Sequence, residues 1–291
     1  MKQPVFANMH CHSIFSDSSY TPERMAALAR EAGYGAVVLT DHDTVRGTYF
    51  MQKAARKEGL LSLLGCEFST RGFGHGIHLV GFDFNPDVPA MRELLRHCSQ
   101  KATSRTKLLL QWGLERGLIR GVTWEEVAAA YPFNDYICND QVMGVLRAKG
   151  ILQKKDEDFW EAFSFRYPER EAKIRELTGY ETPRVEDAIR IIREAGGVPV
   201  IAHPHDQFDF IRPLMEAGLM GMEVDYQDAP DEETAAADAL ATELGIYKTG
   251  GSDHGGILGG RAWDPARPGK DPEERGVSRA DFMRLYRREL G

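Results

Sequence analysis

The chain has 291 residues, 42% of them apolar, enough to bury the core of one α/β domain carrying an insertion. Its 36 Lys+Arg against 44 Asp+Glu give a net charge of −8, which argues against a nucleic-acid polymer as partner, because binding along such a backbone needs a clustered basic face. The N-terminal MKQPVFANMH lacks the basic-then-apolar order of a secretory signal and no run of about 18 apolar residues occurs, so no membrane contact and a cytoplasmic location are expected. Four dispersed cysteines, Cys11, Cys66, Cys98 and Cys138, form no CxxC pair and are expected to be reduced and buried.

Val5 to Met9 reads as a first strand, followed by a helix that Thr21 caps, Pro22 opens and Gly33 stops. Ala36 to Thr40 reads as the second strand, Val45 to Glu58 as a helix ended by Gly59, Leu60 to Gly65 as the third strand and Ile77 to Phe82 as the fourth. This alternation predicts βα units around a parallel sheet. Between about Pro89 and Thr182 the strand rhythm stops, and Arg92 to Glu115, Trp124 to Ala130 and Asp140 to Lys149 read as helices, so this stretch is an insertion. The rhythm resumes with a helix over Pro183 to Ala195 and strands at Val198 to Ala202, Gly221 to Val224 and Ile246 to Thr249. Two domains are therefore expected, a barrel from 1–90 and 183–291 and a helical subdomain over 91–182. Residues 91 to 183 carry 15 Lys+Arg against 14 Asp+Glu, so the insertion is the less acidic part and suits an anion. Its charges are equally open to the reading of solvated helix faces. The stretch Asp264 to Arg275, rich in Pro, Gly and charge, is expected to be a mobile loop.

Of nine histidines, eight (His10, His12, His42, His75, His78, His203, His205 and His254) fall at or near the end of a predicted strand, and only His97 lies elsewhere. In parallel barrels loops converge at that rim over a rigid base. His10 and His12, one residue apart in extended chain, point the same way and suit chelation. Asp17, in a Ser-rich loop, is open to a ligand role and to an Asx turn or cap. In Thr40-Asp41-His42-Asp43 two carboxylates flank an imidazole, and Asp41 suits orienting a ligand. Glu67 follows the third strand, where its two oxygens can bridge two cations. His78 lies in an apolar run and serves as a ligand or as a hydrogen-bonded core residue. Ala202-His203-Pro204-His205 and Gly250-Gly251-Ser252-Asp253-His254 complete the set. Mixed imidazoles and carboxylates suit Mn²⁺, Zn²⁺ or Fe²⁺ better than Ca²⁺ or Mg²⁺ alone.

The ordered pattern HxH, Asp, TDHD, Glu, His, AHP, GSD resembles the PHP (polymerase and histidinol phosphatase) family of the amidohydrolase superfamily, over Met9 to Phe82 and Val198 to Gly256. The resemblance implies a distorted (β/α)7 barrel, a TIM-like PHP fold, holding two or three divalent ions. It implies His10, His12, Glu67 and Asp253 as ligands of one ion, Glu67, His78 and His203 of a second, and Asp17 and His42 of a third. The family pattern has Asp-x-His after GS, whereas Asp253 and His254 are adjacent here, so either His254 or His205 is left to complete the third site. The insertion resembles that of the nucleotide- and sugar-phosphatase branch, which supplies an Arg-x-His pair and a Gly-Lys-Pro-x-Tyr segment. This chain reads Ile137-Cys138-Asn139-Asp140-Gln141 and Leu177-Thr178-Gly179-Tyr180 there, which implies a substrate other than the branch's usual one.

The expected activity is hydrolysis of a small phosphorylated substrate, a nucleotide or sugar phosphate or a cyclic phosphodiester, by a hydroxide bridging two ions. His205, His254 or Asp253 would protonate the leaving alcohol. Arg46, Arg71, Arg170, Arg175 and Arg261 are candidates for phosphate contact. The rival expectations are an amide or lactone hydrolase of the same superfamily and a non-enzymatic metal-binding module.

Overall fold

The computed structural model describes residues 5–151, 157–164, 168–227, 229–253 and 275–290. Strands β1 (Ala7–Asn8) and β2 (Ala36–Val37) pair in parallel, and a second sheet has the order β3 (Gly65–Gly72), β4 (His75–Phe82), β5 (Val198–Ile201), β6 (Gly221–Asp225) and β7 (Tyr247–Gly250). The α/β class expected from the sequence is present, but the all-parallel sheet is not. β4 runs antiparallel to both neighbours, while β5, β6 and β7 are parallel.

The third strand also lies elsewhere than expected. Leu60 to Gly65 touches β2 only through a bridge between Ala36 and Leu61, and the ladder begins at Gly65 and continues to Gly72. There Cys66, Phe68 and Thr70 alternate with Glu67, Ser69 and Arg71, a period-two pattern that a strand with two different faces requires. The chain turns at Phe73-Gly74 and returns as β4 with Ser69 opposite His78. This reversal carries His78, from the first half of β4, to the rim where the parallel strands end.

Helix α1 (Pro22–Glu31) starts as its sequence dictates, with Thr21 Oγ1 accepting the Arg24 N–H at 3.3 Å, and α2 (Arg46–Glu58) stops on Gly59, whose φ is +74°. Both bury apolar faces against Leu39, Tyr34 and Leu60. Farther along, α8 (Val185–Glu194) packs on β3, β4 and β5, α9 (Ile211–Glu216) follows β5, α10 (Asp231–Leu244) packs on β6 and β7, and α11 (Arg279–Tyr286) on β7, enclosing the main core.

Inside the insertion, α3 (Pro89–Glu115) serves two cores. Met91, Leu94 and Cys98 belong to the main one, whereas Leu109 and Leu110 join a second cluster with residues of α4 (Trp124–Ala130), α5 (Asn139–Ala148), α6 (Glu157–Phe163) and α7 (Pro168–Thr178). All four cysteines are free and buried, and burial pushes the Cys11 thiol up to about 12. No helix among the described residues is long and apolar enough to cross a membrane. Residues 264–274 of the stretch expected to be mobile lie outside the described residues, and Arg275 is buried, its guanidinium bonded to Asp225 and to the Ala229 carbonyl.

Candidate metal centre

Glu67 is the hub of the rim. It is fully buried on β3, and its Oε2 lies 3.0 Å from His10 Nε2, 3.3 Å from His12 Nε2 and 3.3 Å from His42 Nδ1. Its other oxygen, Oε1, lies 2.8 Å from His78 Nδ1 and 3.0 Å from His203 Nε2. Asp253 Oδ1 approaches His12 Nε2 at 2.8 Å and His10 Nε2 at 3.6 Å, and Asp17 lies 3.4 Å from His12 and 3.5 Å from His42. Three groups of ligand atoms therefore converge within 4.8 Å: His10, His12, Glu67 and Asp253; His12, Asp17 and His42; His42, Glu67 and His78.

Burial and charge oppose each other at His10, Glu67 and Asp17. Desolvation by itself would lower His10, yet the carboxylates of Glu223, Glu67 and Asp253 hold its pKa well above the ordinary value. Desolvation would raise Glu67, but His42, His10 and His78 hold it well below. Asp17 is likewise depressed, by His12 and His42 against its burial. The polypeptide alone meets this balance with protons. The donor geometry fits cations instead: His10 Nε2 and His12 Nε2 face each other at 3.2 Å, and His42 Nδ1 is buried without a hydrogen-bond partner. Lone pairs converging from imidazoles and carboxylates are a divalent-ion donor set.

Secondary contacts fix these groups. Glu223 on β6, fully buried, accepts from His10 Nδ1 at 2.8 Å and from the His203 backbone N–H at 2.7 Å, so one carboxylate sets the tautomer of one imidazole and the seat of another. The sequence reading passed it over, although a Glu and an Asp alternating within the apolar Gly221–Asp225 strand were the available signal. Asp41 acts on His12 through Ser16, whose hydroxyl lies 3.5 Å from His12 Nδ1, and not by a direct bond to an imidazole. It accepts from the Ser13 N–H and hydroxyl and from Ser16, and so holds the loop bearing His12 and Asp17. Asn8 bonds the backbone N–H of His10 and of Ser252, tying β1 to the Asp253 loop. A Cβ on Gly251 would come within 2.4 Å of the His10 nitrogen, so only glycine permits that approach.

His205 stands beside the cluster. Its ring centroid is 6.2 Å from that of His203, and its Nδ1 lies 3.0 Å from Glu233 Oε1, which also accepts from the Tyr226 hydroxyl. His75, counted with the rim histidines from its sequence position, is exposed at the start of β4 and packs on Phe210 instead. His254 and Arg261 lie outside the described residues.

Of the five arginines expected at a phosphate, four lie among the described residues. Arg170 is buried in the insertion, over the Trp112 ring at 4.1 Å and bonded to the Glu161 and Ala162 carbonyls, because a guanidinium in an apolar cluster must satisfy its donors locally. Arg71 bonds the Thr182 carbonyl and Glu181, and Arg46 bonds Asp135, so both fasten the insertion to the barrel. Arg175 is exposed in the last turn of α7. The insertion reaches the rim through the segment preceding α5: Asn134 donates to the Ile14 carbonyl, and the Tyr136 ring stacks 6.1 Å from His42. Asp140, in the first turn of α5, has its pKa raised to about 7 by burial and by Asp17.

Residues 8–122 match the PHP domain family. The chain is 29% identical over 281 residues to a 5′-3′ exoribonuclease of Salmonella typhimurium, covering 90% of this chain and 91% of that one, and 31% identical over 200 residues to a 5′-3′ exoribonuclease of Haemophilus influenzae, covering 68% of each. It is 27% identical to a phosphoribosyl 1,2-cyclic phosphate 1,2-diphosphodiesterase of Eggerthella lenta, over 88% of this chain and 96% of that one. A crystal structure from Bifidobacterium adolescentis, itself only proposed to be a metal-dependent phosphoesterase, superposes with a TM-score of 0.77 at 22% identity, over 99% of this chain and 98% of that one, which shows a shared fold. The exoribonucleases overturn the expectation that acidic net charge excludes a nucleic-acid polymer. Total charge is a poor guide where bound cations supply the local positive field.

Proposed function

This chain belongs to the PHP domain family and is a metal-dependent phosphoesterase, and on that premise we propose that it hydrolyses phosphoester bonds of nucleotide-type substrates, presented as a small molecule or as the 5′ end of an RNA strand. The observation that carries this reading is Glu67, one buried carboxylate ringed by five imidazoles on two oxygens. We assign His10, His12, Glu67 and Asp253 to one ion, Glu67, His78 and His203 to a second, and Asp17 and His42 to a third, with Mn²⁺, Zn²⁺ or Fe²⁺ suited to such a set. Divalent ions, when bound there, polarise the phosphoryl oxygens and draw the pKa of water toward neutrality.

The remaining chemistry falls to the chain itself. Glu223 keeps His10 Nε2 turned to the hub by engaging Nδ1. His205, with Nδ1 held by Glu233, is placed to give a proton from Nε2 to the leaving oxygen. The fold is read as a seven-stranded barrel of which the two sheets are arcs. What supports that reading is a Met9 N–H donating to the Gly250 carbonyl at 2.9 Å and an isolated bridge between His42 and Glu67. The helical insertion, 91–182, forms the wall that receives the substrate.

The test is turnover of bis(p-nitrophenyl) phosphate, a 5′-phosphorylated oligoribonucleotide, a cyclic phosphodiester and an amide panel, with Mn²⁺, by wild type and Glu67→Gln. Hydrolysis of phosphoesters that vanishes in the variant is the expected result. Hydrolysis of amides alone would sink the reading.

A further inference from the structure

The β3–β4 hairpin closes with a two-residue turn, Phe73-Gly74, between the paired residues Gly72 and His75. Both turn residues have positive φ, +49° and +80°, the pattern of a type I′ turn, in which Asn or Gly is the favoured first residue. Phenylalanine there sits in the left-handed region, where its Cβ crowds the following carbonyl oxygen. Phe73 is 44% exposed as a residue, so little core burial offsets that conformation. The turn does not call for this side chain, so its reason has to be sought in what the ring touches.

The Phe73 ring stacks on Phe210, centroids 4.5 Å apart and planes 13° apart, and His75 lies against the same Phe210 ring at 5.5 Å. Phe210 ends the 3₁₀ turn His205–Phe210, which begins two residues after His203, and Gln207 of that turn donates to the Gly76 carbonyl. The aromatic pair is thus joined to the metal rim by both of its backbones. Glu67 and Gly72 are five strand residues apart, roughly 17 Å along β3 at about 3.4 Å per residue. That reach matches about five stacked nucleotides or fewer.

We propose that Phe73 and Phe210 form a stacking platform for bases of a single-stranded nucleic acid whose 5′ end lies at the metal rim. The proposal rests on the reading of the rim as a phosphoesterase centre open to a polymer. Stacking on an aromatic face suits an acidic protein, because every base has a π-face and the contact needs no basic groove.

The decisive variant is Phe73→Asn, which removes the ring and gives the turn its preferred residue, with Phe210→Ala as the second. With Mn²⁺, kcat/KM on 5′-phosphorylated oligoribonucleotides of two to eight residues should rise with length and level off near five in wild type. Phe73→Asn should flatten that rise, lowering kcat/KM on the octamer about 5- to 30-fold, the loss of one stacked base. Its dinucleotide turnover should stay unchanged and its Tm unchanged or higher. Binding of a fluorescent octamer in EDTA, RNA and DNA in parallel, should weaken by the same factor in both, since stacking ignores the sugar. Wild-type length dependence and octamer affinity in both variants would overturn the platform while leaving the phosphoesterase reading intact. Octamer binding that needs Phe73, in a protein hydrolysing no phosphoester, would overturn that reading and keep the platform.

Discussion

The rim and the insertion bury charge in opposite ways. At the rim, Glu67, His10 and His12 are sealed from solvent and partnered by one another and by the surrounding imidazoles and carboxylates, so removing one member leaves the others uncompensated. In the insertion the buried Arg170 is satisfied by backbone carbonyls and by the Trp112 face within one helical cluster. The first arrangement is specific to its ligand, and the second is ordinary structural closure. Substitutions in the rim should therefore change chemistry, and substitutions in the insertion's own buried cluster should change stability.

The sharpest way to break this contrast is Glu67→Gln. It should abolish retention of metal through desalting, read by elemental analysis, and lower phosphodiester turnover on the order of 10³-fold or more. Retained metal with turnover near wild type would erase the distinction. Glu223→Gln should cost about 10- to 100-fold in metal affinity or rate, because it frees the His10 tautomer without removing a ligand. Titration of Mn²⁺ into metal-free protein in two buffers should show proton release, and apparent affinity should fall as pH falls from 8 to 6. The sign follows from His10, His12, His42 and His203, whose pKa values are raised by the carboxylates around them against the lowering effect of burial.

Arg170→Ala should lower thermal stability by about 1–3 kcal/mol, the scale of a lost cation–π contact and its carbonyl bonds, with unchanged turnover of a small diester. The smallest effect is expected at the seam between the regions. Asp140 has a folded pKa of about 7, above its unfolded value, so the folded state holds the extra proton and stability falls as pH rises toward 7. Asp140→Asn should raise the melting temperature of the metal-free protein by a few degrees at pH 8, about 2–4 °C per kcal/mol, and leave it unchanged at pH 4.

The hub was legible because its members follow apolar strands: His10-Cys11-His12 after β1, Glu67 early in β3 and His203 after β5 mark a rim through local pattern alone. The course of β3 was not, since Leu60 to Gly65 carries the apolar run while the real ladder alternates polar and apolar residues. A Phe at the head of a two-residue turn also hid the hairpin. Glu223 escaped because its partner His10 is more than two hundred residues away and nothing beside it hints at imidazoles. Arg170 looked like an anion contact because the Trp112 beneath it sits on another helix, outside its local sequence. Neighbouring residues report which side chains end strands, but pairings across the chain are decided by packing.

Asp43, His203, His205 and Asp253 hold φ values of +55°, +27°, +36° and +48°, and none is glycine. Each would sit there at less expense as Gly or Asn. Populations selected for heat endurance alone, with no demand for turnover, should accumulate Gly or Asn first at His203 and His205, the bulkier offenders. Sequencing the survivors would map the working residues of this protein without anyone supplying its substrate.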